Sequence, residues 1–98
     1  MSLPVLFRAA ALIDINEAYH WYEEKQKGLG AAFMAELGDA EALIGDNPEL
    51  FRKVHGEVRR AILHKFPYGV FYVARPESVS VVAVMRHARN PKHWQDRA

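Results

Sequence analysis

The chain has no cysteine among its 98 residues, which excludes disulfide staples and thiolate metal sites. It also lacks a long apolar run. The longest, Val79 to Met85, contains Ser80 and falls far short of the ~20 residues that cross a bilayer. No basic segment followed by an apolar stretch opens the chain, so no secretory signal is expected and the cytoplasm is the default location. Histidines are never paired as His-x-x-x-His on one helix, so neither a metal nor another cofactor is expected. There is no internal repeat, linker or low-complexity tract, and residues 1–98 are expected to form one domain.

Half of the residues are hydrophobic and about a quarter are charged, a balance that suits a folded domain rather than a disordered one. The net charge of +1 hides a polarity. Residues 1–49 carry three Lys or Arg against nine acids (net −6), and residues 50–98 carry ten against three (net +7). Such halves can attract each other within one fold. They can also direct the basic half toward something anionic, either nucleic acid or an acidic protein segment.

The prolines punctuate the pattern. Pro4 is tolerated at the start of a short edge strand that runs to Phe7. From Ala9 the spacing becomes helical: Leu12, Ile15, Ala18 or Tyr19, and Tyr22 form a stripe, with Asp14, Glu17, Glu23 and Glu24 mostly opposite. No Ser, Thr, Asp or Asn stands where an N-cap is wanted. Gly28 is expected to end this helix in a left-handed conformation. A second helix starts near Leu29, with Phe33, Leu37, Ala40 and Ile44 as its stripe, and closes at Asn47-Pro48. Gly38 is expected to let the first helix approach. The two make an antiparallel hairpin. Leu50 to Gly56 reads as a connecting loop. From Val58 the period changes to two, and three Val-, Ile-, Phe- and Tyr-rich runs are divided by Phe66-Pro67 and Pro76-Glu77-Ser78, which predicts consecutive antiparallel strands. Alternation puts Tyr68, Val70 and Tyr72 opposite Phe71 and Val73. It also puts Val79, Val81, Ala83 and Met85 opposite Ser80, Val82, Val84 and Arg86. The fold class is α+β, in the order strand, helix, helix, strand, strand, strand, with the helix hairpin on one face of a mostly antiparallel sheet.

The ordered set Trp21-Tyr22, Gly28-Leu29-Gly30, Phe33, Asn47-Pro48, Arg59-Arg60, Phe66-Pro67-Tyr68, Val70, Tyr72, Val79 to Val84 and His87-x-Arg89-x-Pro91-x-x-Trp94 resembles toxins of the RelE/ParE superfamily. The likeness is nearer to the ParE-like, plasmid stabilisation branch, and it spans nearly the whole chain. It implies a toxin of a type II toxin–antitoxin module. In the ParE-like branch it implies binding and inhibition of DNA gyrase, and neutralisation by an antitoxin that lays an acidic amphipathic segment over the helices and sheet. In the RelE-like branch it implies ribosome-dependent mRNA cleavage. A non-toxic, protein-binding member is the third reading, and self-association into a homodimer is left open.

The resemblance and the charge pattern single out two groups of residues. For cleavage, Glu57 or His87 would serve as base or acid, with Arg59 and Arg86 over the phosphate, provided that the ends of the first and last meander strands converge. The catalytic carboxy-terminal tyrosine of that branch has no counterpart near His87; Pro91-x-x-Trp94 occupies the region. Otherwise Glu57 and Arg59 pair with each other or with the tail. For binding a target or antitoxin, the candidates are Trp21, Arg60, Arg89, Lys92, His93 and Trp94. Trp21 flanks the first helix's stripe and is expected to pack on the sheet, with a partly exposed, partner-binding ring as the alternative. Trp94 is expected to fold the tail back as an apolar latch, leaving Asp96 and Arg97 exposed.

Overall fold

A computed structural model describes residues 2–88 and 90–97. The elements are β1 (Val5–Phe7), α1 (Ala9–Lys25), α2 (Leu29–Asp46), β2 (Lys53–His55), β3 (Val58–Ile62), β4 (Tyr68–Ala74), β5 (Val79–Arg86) and α3 (Lys92–Gln95). The expected α+β order holds, with two additions. The Leu50–Gly56 segment is not simply a loop: Lys53–His55 pairs with β3 as a short antiparallel edge strand, and a single helical turn begins after Pro91.

The five strands lie in the order β1-β5-β4-β3-β2. β1 runs parallel to β5, and every other neighbouring pair is antiparallel. The helix hairpin packs on one face over Ala61, Val70, Tyr72, Val79, Val81 and Val84. The other face carries Val58, Phe71, Val82, Ala83 and Met85, and Trp94 of α3 closes over them. Its indole stacks on Phe71 at 4.5 Å and is only 4% exposed, so the tail does fold back as a latch.

On α1 the buried positions are Ala11, Ile15, Ala18 and Tyr22, whereas Leu12 is 54% exposed. The stripe is therefore shifted by one residue at its start. Small side chains face the sheet there because α1 lies close over β5. Asp14 is not on a solvated face either: its carboxylate accepts the Val84 N–H at 3.0 Å and pairs with Arg97 at 2.6 Å. Arg97, expected in solvent, is thus held against the edge of β5, where it also donates to the Val82 carbonyl.

The helix hairpin is tied at its turn. Gly28 has φ of 91°, the left-handed region that glycine adopts without strain. Lacking a side-chain cap of its own, α2 takes one from α1: the two Glu23 carboxylate oxygens accept the Gly28 and Gly30 N–H groups, each at 2.9 Å. A carboxylate there satisfies donors that the helix leaves free and complements its dipole. The close approach of the helices falls at Gly30, not Gly38. A Cβ at Gly30 would come within 2.7 Å of the Tyr19 carbonyl oxygen, whereas one at Gly38 would meet nothing within 4 Å. Gly30→Ala should therefore destabilise by about 1–2 kcal/mol: a clash with a backbone oxygen belongs in the upper part of the overpacking range, about 2–3 kcal/mol, and the gain in helix propensity offsets only ~1 kcal/mol of it. Urea melts check this, and a stabilised variant would refute it.

Strand β5 departs from strict alternation. Ala83 faces Phe71 and Val81 faces Tyr72, so Val82 is an extra residue opposite the Phe71–Tyr72 step. This bulge reverses the side-chain parity of the residues beyond it. Val79, Val81 and Val84 face the helices, while Val82, Ala83 and Met85 face the tail.

Candidate functional site

Three places carry side chains beyond the needs of the core. The first is a groove of about 490 Å³ between α2 and the outer edge of β3. Ala32, Ala35, Ala40 and Leu43 form one wall, with Phe51, Ala61 and Leu63 below. β2 pairs only with Val58 and Arg59, and Arg60 N–H reaches the Arg52 carbonyl at 3.3 Å. Since Leu63 N–H bonds inward to Tyr68, parity turns the Ile62 N–H and C=O outward with no strand beyond them among the described residues. Ile62 is 44% exposed and Leu43 43%. Glu36 closes the far end by accepting the His64 and Lys65 N–H groups, which fixes the β3–β4 turn to α2 and leaves the Lys65 and His64 side chains at the rim. An open strand edge beside an apolar trough is suited to receive an added segment, by main-chain pairing and side-chain burial together.

The second place is a smaller hollow, about 180 Å³, under α1 at the end of β5. Trp21 is 44% exposed and does not pack into the sheet. Its ring instead lies 5.4 Å from the Arg86 guanidinium and 4.8 Å from the Lys25 ammonium, and Arg86 also lies over Tyr68 at 5.7 Å. The β5 bulge brings Arg86 to this helical face. Tyr22, beneath, has its phenol pushed above the ordinary value chiefly by burial.

The third place is the outer face of the sheet around Trp94. Arg60 lies there beside Phe71, its stem over Gly69. His55 meets the Trp94 ring edge-on at 5.9 Å, and Lys92 and His93 flank Trp94 with exposed side chains. Arg89 lies outside the described residues.

The proposed acid–base set is not brought together. Arg59 faces Tyr72, which faces Val81, while Arg86 faces Tyr68. Arg86 and His87 therefore lie roughly 15 Å along the strand axis from Glu57 and Arg59. Each of the latter two is otherwise engaged. Glu57 pairs with Lys53 at 2.7 Å on the surface, and that hydrogen bond, then the Lys53 charge, holds its carboxyl below the ordinary range. Arg59 donates to the Phe51 and Glu49 carbonyls at 2.7 and 3.3 Å, bracing the segment before β2. Among the described residues, neither the pairing with each other nor that with the tail occurs. Tyr72 is buried, donates to the Pro48 carbonyl at 2.8 Å, and has its phenol raised by desolvation. Among the described residues no group of His, Asp or Glu could hold a metal ion, and no helix is long and apolar enough to cross a membrane.

An α-hairpin on one face of a mostly antiparallel sheet, with an open strand edge, defines a small α+β domain. The family model for the ParE toxin of type II toxin–antitoxin systems, parDE, matches residues 5–91, and the chain belongs to that family. Among solved structures it is similar to a chain of the chromosomal ParDE TA system from P. aeruginosa. That likeness has a TM-score of 0.76 and 12% identity, and covers 87% of this chain and 96% of that one. No curated protein matches.

The sequence marked Arg60, Lys92, His93 and Trp94, which the fold gathers on one face. It missed the α2–β3 groove. The alanine run Ala31-Ala32 and Ala35, on the side of α2 away from Phe33 and Leu37, was the available signal.

Proposed function

We propose that this toxin acts by binding DNA gyrase rather than by cutting mRNA. The reading rests on the separation of Glu57 and Arg59 from Arg86 and His87. A general acid or base must lie within about 3 Å of the proton it moves, directly or through one water, and neither member of the first pair shares a cleft with the second. The cytoplasm is where such a target is met. We also assign the groove between α2 and β3 to a cognate antitoxin, whose segment adds to the Ile62 edge, buries apolar side chains against Ala35 and Leu43, and points acids at Lys65 and His64. The outer face around Arg60, Lys92 and His93 is left for the target.

Induction of the toxin alone should arrest growth with a DNA-damage response, and the purified protein should inhibit gyrase supercoiling. His87→Ala should change that inhibition by less than about threefold, whereas loss of a general acid or base costs a hundredfold or more. Were RNA-end mapping to show in-frame cleavage of translated messages, lost in His87→Ala, the enzyme reading would replace this one.

For the antitoxin, Ala35→Arg should weaken the complex by roughly a hundredfold or more in calorimetry, since it fills the trough and buries a charge against apolar groups. Unchanged affinity would move the antitoxin elsewhere.

A further inference from the structure

We propose that the outer face of the sheet tracks the phosphate backbone of a nucleic-acid duplex, so that this toxin touches the nucleic acid on its target and not the target protein alone. The inference rests on the assignment of that face to the target, and names the chemistry met there.

Arg60 is half-buried on β3, yet its guanidinium makes no hydrogen bond or ion pair among the described residues, unlike Arg8, Arg59 and Arg97, which are all engaged. Its stem lies flat because the neighbouring strand leaves room for it. A Cβ on Gly69 would stand 3.0 Å from the Arg60 Cγ and 3.1 Å from its Cδ, so only glycine leaves this path open without displacing the stem. A planar guanidinium fork is suited to a phosphate. The same side of the sheet carries His55, against Trp94, and Lys92 and His93 on the turn that bears Trp94. The nearby acids are Glu57, already paired with Lys53, and Asp96 just beyond α3.

The apolar groups decide between partners. Trp94 is 4% exposed and Phe71 fully covered, each stacked on the other. A protein partner gains most of its affinity from desolvated aromatic anchors, and this face keeps its Trp and Phe rings inside, with the aliphatic Ile62 exposed only at its edge. Single-stranded nucleic acid stacks its bases on broad exposed rings, and the Trp94 and Phe71 rings are covered. A duplex backbone asks only for fixed cations on a firm surface, and is bound through release of counterions.

Fluorescence anisotropy with a labelled DNA duplex of about 20 base pairs, and in parallel an RNA duplex, tests this on the purified chain. With Arg60 and Lys92 each neutralising one phosphate, the slope of log K against log salt should be about −2, a loss of roughly fifteenfold between about 50 and 200 mM. Arg60→Gln and Lys92→Gln should each reduce the slope by about one, with melting unchanged, whereas Lys27→Gln in the α1–α2 turn should leave it alone. The DNA and RNA arms tell which duplex is preferred, and binding of either supports the inference. It is overturned if neither duplex binds at the low-salt end of that range, if the slope is unmoved in both variants, or if an acidic peptide binds this face and the duplexes do not. Gyrase inhibition by the same proteins is scored separately. Inhibition without duplex binding would sink this inference and spare the gyrase reading; duplex binding without inhibition would do the reverse.

Discussion

Trp94→Ala should lower stability by about 3–5 kcal/mol, the range for removing a large buried aromatic side chain. The indole is the main cover of a face that holds Val58, Phe71, Val82, Ala83 and Met85, all nearly inaccessible in the folded chain. Losing it removes the 4.5 Å stack on Phe71 and exposes apolar surface on a sheet with few other covering groups. A domain of 98 residues is stable by only about 5–15 kcal/mol, so a large share of that margin would go. The midpoint of thermal unfolding should fall by roughly 15–30 °C. Trp94→Phe, which keeps a ring against Phe71, should recover more than half of the loss. Calorimetry decides: a fall under about 5 °C for Trp94→Ala, the shift that ~1 kcal/mol produces in a domain of this size, would mean that the tail is not holding the sheet.

The hairpin, the meander and the latch were legible because each is written in local pattern. Phe33, Leu37 and Ile44 repeat at helical spacing, the strands alternate between turn signals, and Trp94 is an apolar ring just past a proline. What failed was long-range or depended on depth. Hydrophobicity favoured Leu12 over Ala11, but the room between α1 and β5 admits a methyl and not an isobutyl group, so Leu12 and Ile13 stay outside. Asp14 read as a surface acid because its partner, Arg97, is 83 residues away. β2 was hidden by its length, three residues with two of them Lys and His.

The site divides in the same way. Strict alternation placed Arg86 correctly with Val84, but could not see that the Val82 bulge sends both to the helical side with Val81. The convergence of Glu57 and Arg59 with Arg86 and His87 is excluded by strand direction alone. In three consecutive antiparallel strands, the first and third run the same way. The start of the first and the end of the third therefore lie at opposite ends of the sheet. The charge polarity was informative about faces: the helices carry most of the acids, and the outer face gathers Arg60, Lys92 and His93. The conditions that make Arg60 available, a glycine beneath its stem and no acid paired with it, are properties of the register and of no short motif.

Asp14→Ala should be the second severe substitution, at about 2–4 kcal/mol, the upper part of the range for breaking a buried polar network. The side chain is 9% exposed and serves two partners at the one stretch of β5 that β1 does not cover. β1 ends at Phe7, opposite Val81; past it, Asp14 takes the Val84 N–H, and Arg97 takes the Val82 carbonyl while pairing with Asp14. Removing the carboxylate leaves a buried donor unpaired, which costs about 1–3 kcal/mol. It also frees the end of the chain that Arg97 anchors, where the Arg97 carbonyl accepts from Arg8 at 2.6 Å. Asp14→Asn keeps an acceptor for Val84 and should lose roughly half as much. Arg97→Ala should destabilise less than Asp14→Ala, because the remaining carboxylate still binds Val84. A double-mutant cycle between Asp14→Ala and Arg97→Ala should return a coupling of about 1–3 kcal/mol. Little loss of it is expected in high salt, since a pair this shielded is weakly screened. A coupling near zero would mean that the Asp14–Arg97 pair adds little, and would leave the tail to Trp94 and to the bond from Arg8 to the Arg97 carbonyl.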